Sequence, residues 1–159
     1  MLIPLKPATE RFWQQYLEES PDAAKTQNWL YEAFQIGSTP RGADEGAMLI
    51  VRGIKTTTSS LLWEYEAEYK PLPQVGSLSI VENGRDLPVC IVRTTELVTK
   101  PFREVDRRFA YEYGEWDRSL KTWRQECWKY FTAQCEELGR EASHTMPLVC
   151  ERFRVVYSG

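Results

Sequence analysis

The chain has 159 residues, of which 42% are hydrophobic and 13% aromatic, with a formal net charge of −3. That is enough apolar chain for one globular domain to fold around its own core without disulfides or a structural metal, and it excludes the polar, aromatic-poor profile of disorder. Lys and Arg number 7 against 10 Asp and Glu in residues 1–80, then 13 against 13. This balance argues against tight, sequence-blind binding to long nucleic acid but leaves room for a local basic groove.

The opening MLIPLKPATERFW has no basic segment followed by a long apolar block, and no apolar run reaches the length of a membrane span, so a cytoplasmic protein is expected. In TERFWQQYLEE, Phe12, Trp13, Tyr16 and Leu17 fall on one helical face, with Thr9 available as N-cap. A second helix is predicted after Ser20-Pro21-Asp22, burying Trp29, Leu30 and Phe34. Residues 37–42 break the chain, a further helix runs from Ala43 to Arg52, and Gly53 stands where a helix-ending glycine belongs.

Next comes GIKTTTSS, one lysine before five hydroxyl residues. TTSSLLWEYEAEY is predicted as a strand with Leu62 and Glu64 on one face and Leu61, Trp63 and Tyr65 on the other. Residues 77–100 carry Asn83-Gly84 between two β-rich runs and predict a hairpin. Pro101 can open a helix through PFREVDRRFAYEY, with Val105 and Phe109 in the core. Beyond Gly114 a long helix is predicted: Trp116, Leu120, Trp123, Cys127, Phe131, Cys135 and Leu138 form its stripe, Asp117 caps it and Gly139 ends it. MPLVCERFRVVY reads as a closing strand. The irregular interleaving of strands and helices predicts an α+β domain around a mixed or antiparallel sheet, and a small closed β-barrel with flanking helices satisfies it.

Cys90, Cys127, Cys135 and Cys150 lie far apart with no C-x-x-C pair, and His144 is the one histidine, so neither a zinc site nor a cofactor motif is evident. Lys55 has an ordinary reading, a surface lysine favoured by the helix dipole, and a sharper one, a lysine whose pKa burial lowers until it can deprotonate a hydroxyl. Thr58 would point away from it in a regular strand, so the two meet only if the chain turns between them. Thr56, Thr57, Ser59 and Ser60 read mainly as β-formers with local hydrogen bonds. Glu64 is the acid best placed to enter a cleft; Glu66 and Glu68 read as a solvated face. Lys100, Arg103, Arg107, Arg108, Arg118, Lys121 and Arg124 crowd two helices among interspersed acids, and beside Trp63 or Tyr113 such residues could combine phosphate contact with base stacking.

In order along the chain, GIKTTTSSLLWEYE, PQVGSLSIVENG, PVCIVRTTEL, KPFREVDRRFA, GEWDRSLKTWR and MPLVCERFRVVY resemble the ASCH domain family over roughly residues 43–157. Residues 1–42 are then an N-terminal helical extension, as in the longer bacterial members, packed on that core in a single domain. The resemblance implies a PUA-like small mixed β-barrel and an RNA-related role with RNA or a nucleoside as partner, no membrane and no obligate protein partner. Some bacterial relatives are described as metal-independent ribonucleases, a shorter relative hydrolyses N4-acetylcytidine with a lysine, a threonine and a glutamate, and others are assigned as RNA-binding modules. A ribonuclease acting on single-stranded RNA is favoured over an N4-acylcytidine amidohydrolase and a non-catalytic module.

The family motif G-x-K-x-x-T falls on Gly53, Lys55 and Thr58; in the amidohydrolase reading the resemblance makes Lys55 the activating base and Thr58 the nucleophile, and in the ribonuclease reading Lys55 instead stabilises the charge developing on phosphate. The family glutamate falls near FAYEYGE. A gapless match from Ala110 puts Tyr113 there, with Glu112 or Glu115 as the neighbouring carboxylate. The resulting catalytic candidates are Lys55, Thr58, Glu64, Tyr113 and Glu115. The RNA-contact candidates are Gly53, Ser60, Trp63, Arg93, Arg118 and Arg124.

Overall fold

A computed structural model describes residues 4–159, apart from the side chain of Ala24. Among these residues five strands form one sheet: β1 (Leu30–Phe34), β2 (Thr57–Leu61), β3 (Leu78–Glu82), β4 (Pro88–Pro101) and β5 (Pro147–Tyr157), in the order β1-β3-β4-β5-β2. β1 runs parallel to β3, β3 pairs antiparallel with β4, and β5 pairs antiparallel with β2. The mixed sheet with flanking helices is the α+β architecture expected, but β1 and β2 are edges, so the sheet is open where a closed barrel was predicted. At its start β2 spends hydrogen-bonding capacity on a helix: Thr56 N–H donates to the Glu112 carbonyl and the Thr57 hydroxyl to the Phe109 carbonyl.

The chain divides into two compact units. The first comprises the residues up to Gly53, Gln74–Thr95 and Phe153–Gly159. Its first helix, α1 (Pro7–Glu19), buries Trp13 and Tyr16, as the periodicity predicts. Thr9 is not its cap, because Pro7, with φ preset for a first turn, opens the helix earlier and leaves Lys6 at the cap position. The buried Thr9 hydroxyl donates instead to the buried Glu82 carboxylate, which Lys6 also approaches.

The second predicted helix is a 3-10 turn, Ala23–Trp29, followed by strand β1. Pairing with β3 overrides the helical spacing, and Trp29 stays 48% exposed, its ring 5.9 Å from the Arg93 guanidinium. Helix α2 (Pro40–Val51) is capped by the Thr39 hydroxyl, which accepts from Gly42 N–H. Gly53 follows it at φ +73°, the left-handed conformation its position predicts. The β3–β4 hairpin turns on Asn83, whose side-chain oxygen accepts from the N–H groups of Arg85 and Leu87.

The second unit comprises Ile54–Pro73 and Glu96–Arg152. The predicted long strand ends at Leu61, where its ladder ends opposite Leu148, and 62–67 form the short helix α3 (Leu62–Ala67). The supposed two-faced alternation of Leu62, Trp63, Glu64 and Tyr65 is therefore replaced by a helical arrangement. Pro101 leads into a 3-10 turn, Phe102–Glu104, rather than a helix. Helix α4 (Arg107–Tyr113) starts later, at Asp106, whose carboxylate accepts from Phe109 N–H. The long helix α5 (Leu120–Glu137) is capped by Ser119 rather than Asp117, and Trp116 lies outside it. Asp117 instead accepts from the Ser119 and Thr122 hydroxyls. Trp123, Cys127, Phe131 and Cys135 keep the predicted stripe and pack with Phe102, Val105, Phe109 and Met146 into this unit's core.

Candidate active site

The segment after Gly53 enters the second unit by sealing the C-terminal end of α4. That end exposes carbonyls with no helical partner. Thr56 supplies its N–H and hydroxyl to the Glu112 carbonyl, and Lys55 Nζ lies 3.3 Å from the Tyr113 carbonyl. Gly114 completes the cap at φ +74°, and a Cβ built on it would lie 2.6 Å from the Ile54 carbonyl oxygen. No other residue lets the two backbones approach so closely. The hydroxyls of Thr56, Thr57 and Ser59 therefore bond α4, more than fifty residues along the chain, rather than their own neighbours as the local reading had them.

Lys55 is not the surface lysine of the ordinary reading. Its side chain is 0% exposed, and its ammonium lies 2.7 Å from Glu115 Oε2 and 3.4 Å from the centroid of the Tyr113 ring. Burial is the dominant influence on its pKa and lowers it from the ordinary lysine value, while Glu115 pushes it back up. An ammonium over an aromatic face contributes about 1–2 kcal/mol when desolvated, and the carboxylate neutralises the charge that burial penalises.

Tyr113, Glu112 and Glu115 differ in how they stand to Lys55. Glu112 is committed to Arg152, at 2.7 Å, and to Arg108. Glu115 is the carboxylate that meets Lys55, and Tyr113 between them supplies its ring and carbonyl. The buried Tyr113 hydroxyl bonds Ser59 Oγ at 3.0 Å and is also influenced by the Thr58 hydroxyl; burial raises its pKa well above the ordinary tyrosine value. Thr58 is half-buried beside this group, but Lys55 bonds Glu115 and the Tyr113 carbonyl rather than Thr58.

Glu64, on α3, is half-buried; burial raises the pKa of the Tyr130 hydroxyl, and the charges of Glu64 and Glu115 add to that rise. Ser60 bonds the Tyr65 hydroxyl at 2.8 Å, and Trp63 carries the Arg140 guanidinium 4.4 Å from its ring. Arg118 stacks on Tyr111 at 3.6 Å and donates to the Tyr111 carbonyl. Arg124 is exposed and reaches the Arg103 carbonyl at 3.5 Å. Gly53 and Arg93 belong to the other unit.

Sequence reasoning missed Cys127 and Trp116 as members of this neighbourhood. The Cys127 thiol, pushed up to about 12 by burial, is electrostatically linked to Lys55, Glu115 and Tyr113. Trp116 is stacked on Tyr113, 6.1 Å between centroids at 13°. Both share the apolar spacing of the long helix, and the signal that separates Trp116 is the Gly-Glu-Trp-Asp stretch before the cap. Among the described residues no group of three or more His, Cys, Asp or Glu is arranged to hold a metal ion.

An open mixed sheet flanked by helices, with a hydroxyl-rich strand behind a helix-ending glycine, makes this an α+β protein. The chain belongs to the ASCH domain family, whose model matches residues 32–157. The ASCH domain from Lactobacillus crispatus JV V101 superposes with a TM-score of 0.90 at 32% identity, over 96% of this chain and 96% of that one. A protein from Enterococcus faecalis V583 follows at 0.84 and 28%, over 94% and 88%. The ASCH protein from Zymomonas mobilis, at 0.50 and 16% over 78% and 67%, shares the fold. No curated protein matches the sequence. The ASCH family is PUA-like and is linked to RNA binding. No helix among the described residues is long and apolar enough to cross a membrane.

Proposed function

We propose that this protein is a hydrolase of acylated nucleobase amines, of the N4-acylcytidine type, with Thr58 as nucleophile and the Lys55–Glu115 pair as its proton-transfer group. The observation that carries the reading is the enclosed 2.7 Å contact between Lys55 and Glu115. It supplies the carboxylate that a lysine–threonine–carboxylate set requires.

Thr58 Oγ attacks the acyl carbonyl while its proton passes to neutral Lys55. The carbon–nitrogen bond then breaks, the leaving amine takes that proton, and water hydrolyses the acyl-threonine with the same pair as base and acid. Glu115 holds the Lys55 amine in place and stabilises its charged form. The Lys55–Thr58 contact forms when substrate draws the groups together, as catalytic hydrogen bonds commonly tighten only in the complex.

The favoured ribonuclease reading of the sequence needs the Lys55 ammonium to face a phosphate. A phosphate would have to displace Glu115 as the charge that the enclosed ammonium faces, whereas a neutral acylamide need not, and Arg118 is held on Tyr111. The test is release of cytidine from N4-acetylcytidine by wild type, Lys55→Ala and Thr58→Ala, with RNA cleavage in EDTA assayed in parallel. The expected result is cytidine release by wild type and a loss of at least 100-fold, on the scale of a lost nucleophile or base, in both variants. Lysine-dependent RNA cleavage without cytidine release would establish the ribonuclease reading instead, and RNA binding without either activity would leave a binding module.

A further inference from the structure

Trp116 is a bulky aromatic residue in a place that folding alone does not explain. It is 47% exposed, and its backbone sits at φ +56°, a left-handed conformation rarely adopted by a residue of its size. Its neighbour Glu115 touches Lys55, and its ring lies nearly parallel to that of Tyr113, which carries the Lys55 ammonium. An apolar ring is therefore held half in solvent, one residue from the acid and one ring from the base.

The loop that holds it is braced. Gly114 and Arg118 are also left-handed, at +74° and +65°. Arg118 is pinned by its bond to the Tyr111 carbonyl at 2.9 Å and its stack on the Tyr111 ring. On the other flank Asp117 accepts from the N–H and hydroxyl of Ser119. A braced loop that exposes a flat ring beside a proton-transfer pair is preorganised to receive a flat ligand.

We infer that Trp116 is the stacking platform for the nucleobase of the substrate, holding the ring so that its exocyclic acylamino group meets Thr58 and the Lys55–Glu115 pair. The inference rests on the hydrolase reading for the reaction but not for the binding. Stacking on an aromatic side chain tolerates any base and is lost on truncation to alanine, by about tenfold or more in affinity.

The experiment is calorimetric titration of full-length wild type, Trp116→Ala and Trp116→Phe with cytidine, together with thermal melts and KM and kcat for N4-acetylcytidine. The expected result is at least tenfold weaker cytidine binding by Trp116→Ala, recovery in Trp116→Phe, and KM rising more than kcat falls. Equal cytidine affinity in wild type and Trp116→Ala, or no binding by wild type at millimolar cytidine, overturns the inference. So does a loss of affinity accompanied by a matching drop in melting temperature that Trp116→Phe does not repair, which would make Trp116 a structural cover for Tyr113. Trp116-dependent binding without hydrolysis leaves the platform standing and removes the hydrolase reading. Hydrolysis with unchanged KM in Trp116→Ala does the reverse.

Discussion

At the scale of the residue, Lys55 decides most of the chemistry. Enclosing an ammonium costs more than a lysine's stem returns, and the Glu115 contact, the Tyr113 carbonyl and the Tyr113 ring offset that cost only in part. The double variant Lys55→Met/Glu115→Gln, which removes both charges at near-constant volume, is expected to leave the melting temperature unchanged or higher while abolishing turnover, whereas Lys55→Met alone strands the Glu115 carboxylate and is expected to lower it; a clearly lower melting temperature in the double variant would show that the pair is retained for stability. The pH dependence follows from the opposing influences on the amine. Burial favours neutral Lys55 and Glu115 favours the ammonium, so Glu115→Gln removes the main influence opposing burial and lowers the lysine pKa further. The limb of kcat/KM that rises as Lys55 loses its proton should therefore move to lower pH in Glu115→Gln, while the maximum falls. A limb that does not move would mean that another group titrates.

At the scale of the element, the site depends on how α4 ends. Asp106 caps its start and Gly114 its finish, and between them the helix presents the carbonyls that Lys55, Thr56 and Thr57 close. Gly114→Ala combines a left-handed backbone with a Cβ 2.6 Å from the Ile54 carbonyl oxygen, so something must shift in the segment that carries Lys55. A loss of about 2 kcal/mol or more in urea denaturation is expected, with turnover falling further than the stability loss explains. Asp106→Ala should cost about 1 kcal/mol, the ordinary worth of an N-cap, and leave KM unchanged. If both variants behaved alike, the glycine would be acting only as a cap.

At the scale of the whole molecule, the two compact units each carry their own buried thiols: Cys90 in the first, and Cys127, Cys135 and Cys150 in the second. Burial pushes Cys90 and Cys127 up to about 12 and Cys150 to about 11, so almost no reactive thiolate exists at neutral pH. Native protein should resist alkylation at pH 7.5, with labelling of each cysteine appearing in urea only as its unit opens. Peptide mapping of the labelled protein measures this, and rapid native labelling of Cys127 would show that the Lys55 neighbourhood opens on its own.

Local patterning determined much of this protein. Period-3.6 spacing marked α1 and the α5 stripe, Asn83-Gly84 marked the hairpin, and the glycine before Lys55 marked the end of α2. The ordered motifs marked the ASCH family. Local patterning failed where a distant partner decides. Leu30–Phe34 became a strand because β3 lies beside it, and β2 ended at Leu61 because its ladder with β5 ends there. The burial of Lys55, and the choice of Glu115 over Glu112 as its partner, needed the tertiary structure. Glu112 is drawn to Arg152, forty residues along the chain, and Glu115 meets a lysine sixty residues before it. Spacing along a chain encodes which face a side chain shares with its neighbours, whereas charge pairing and desolvation depend on what the fold brings across that face.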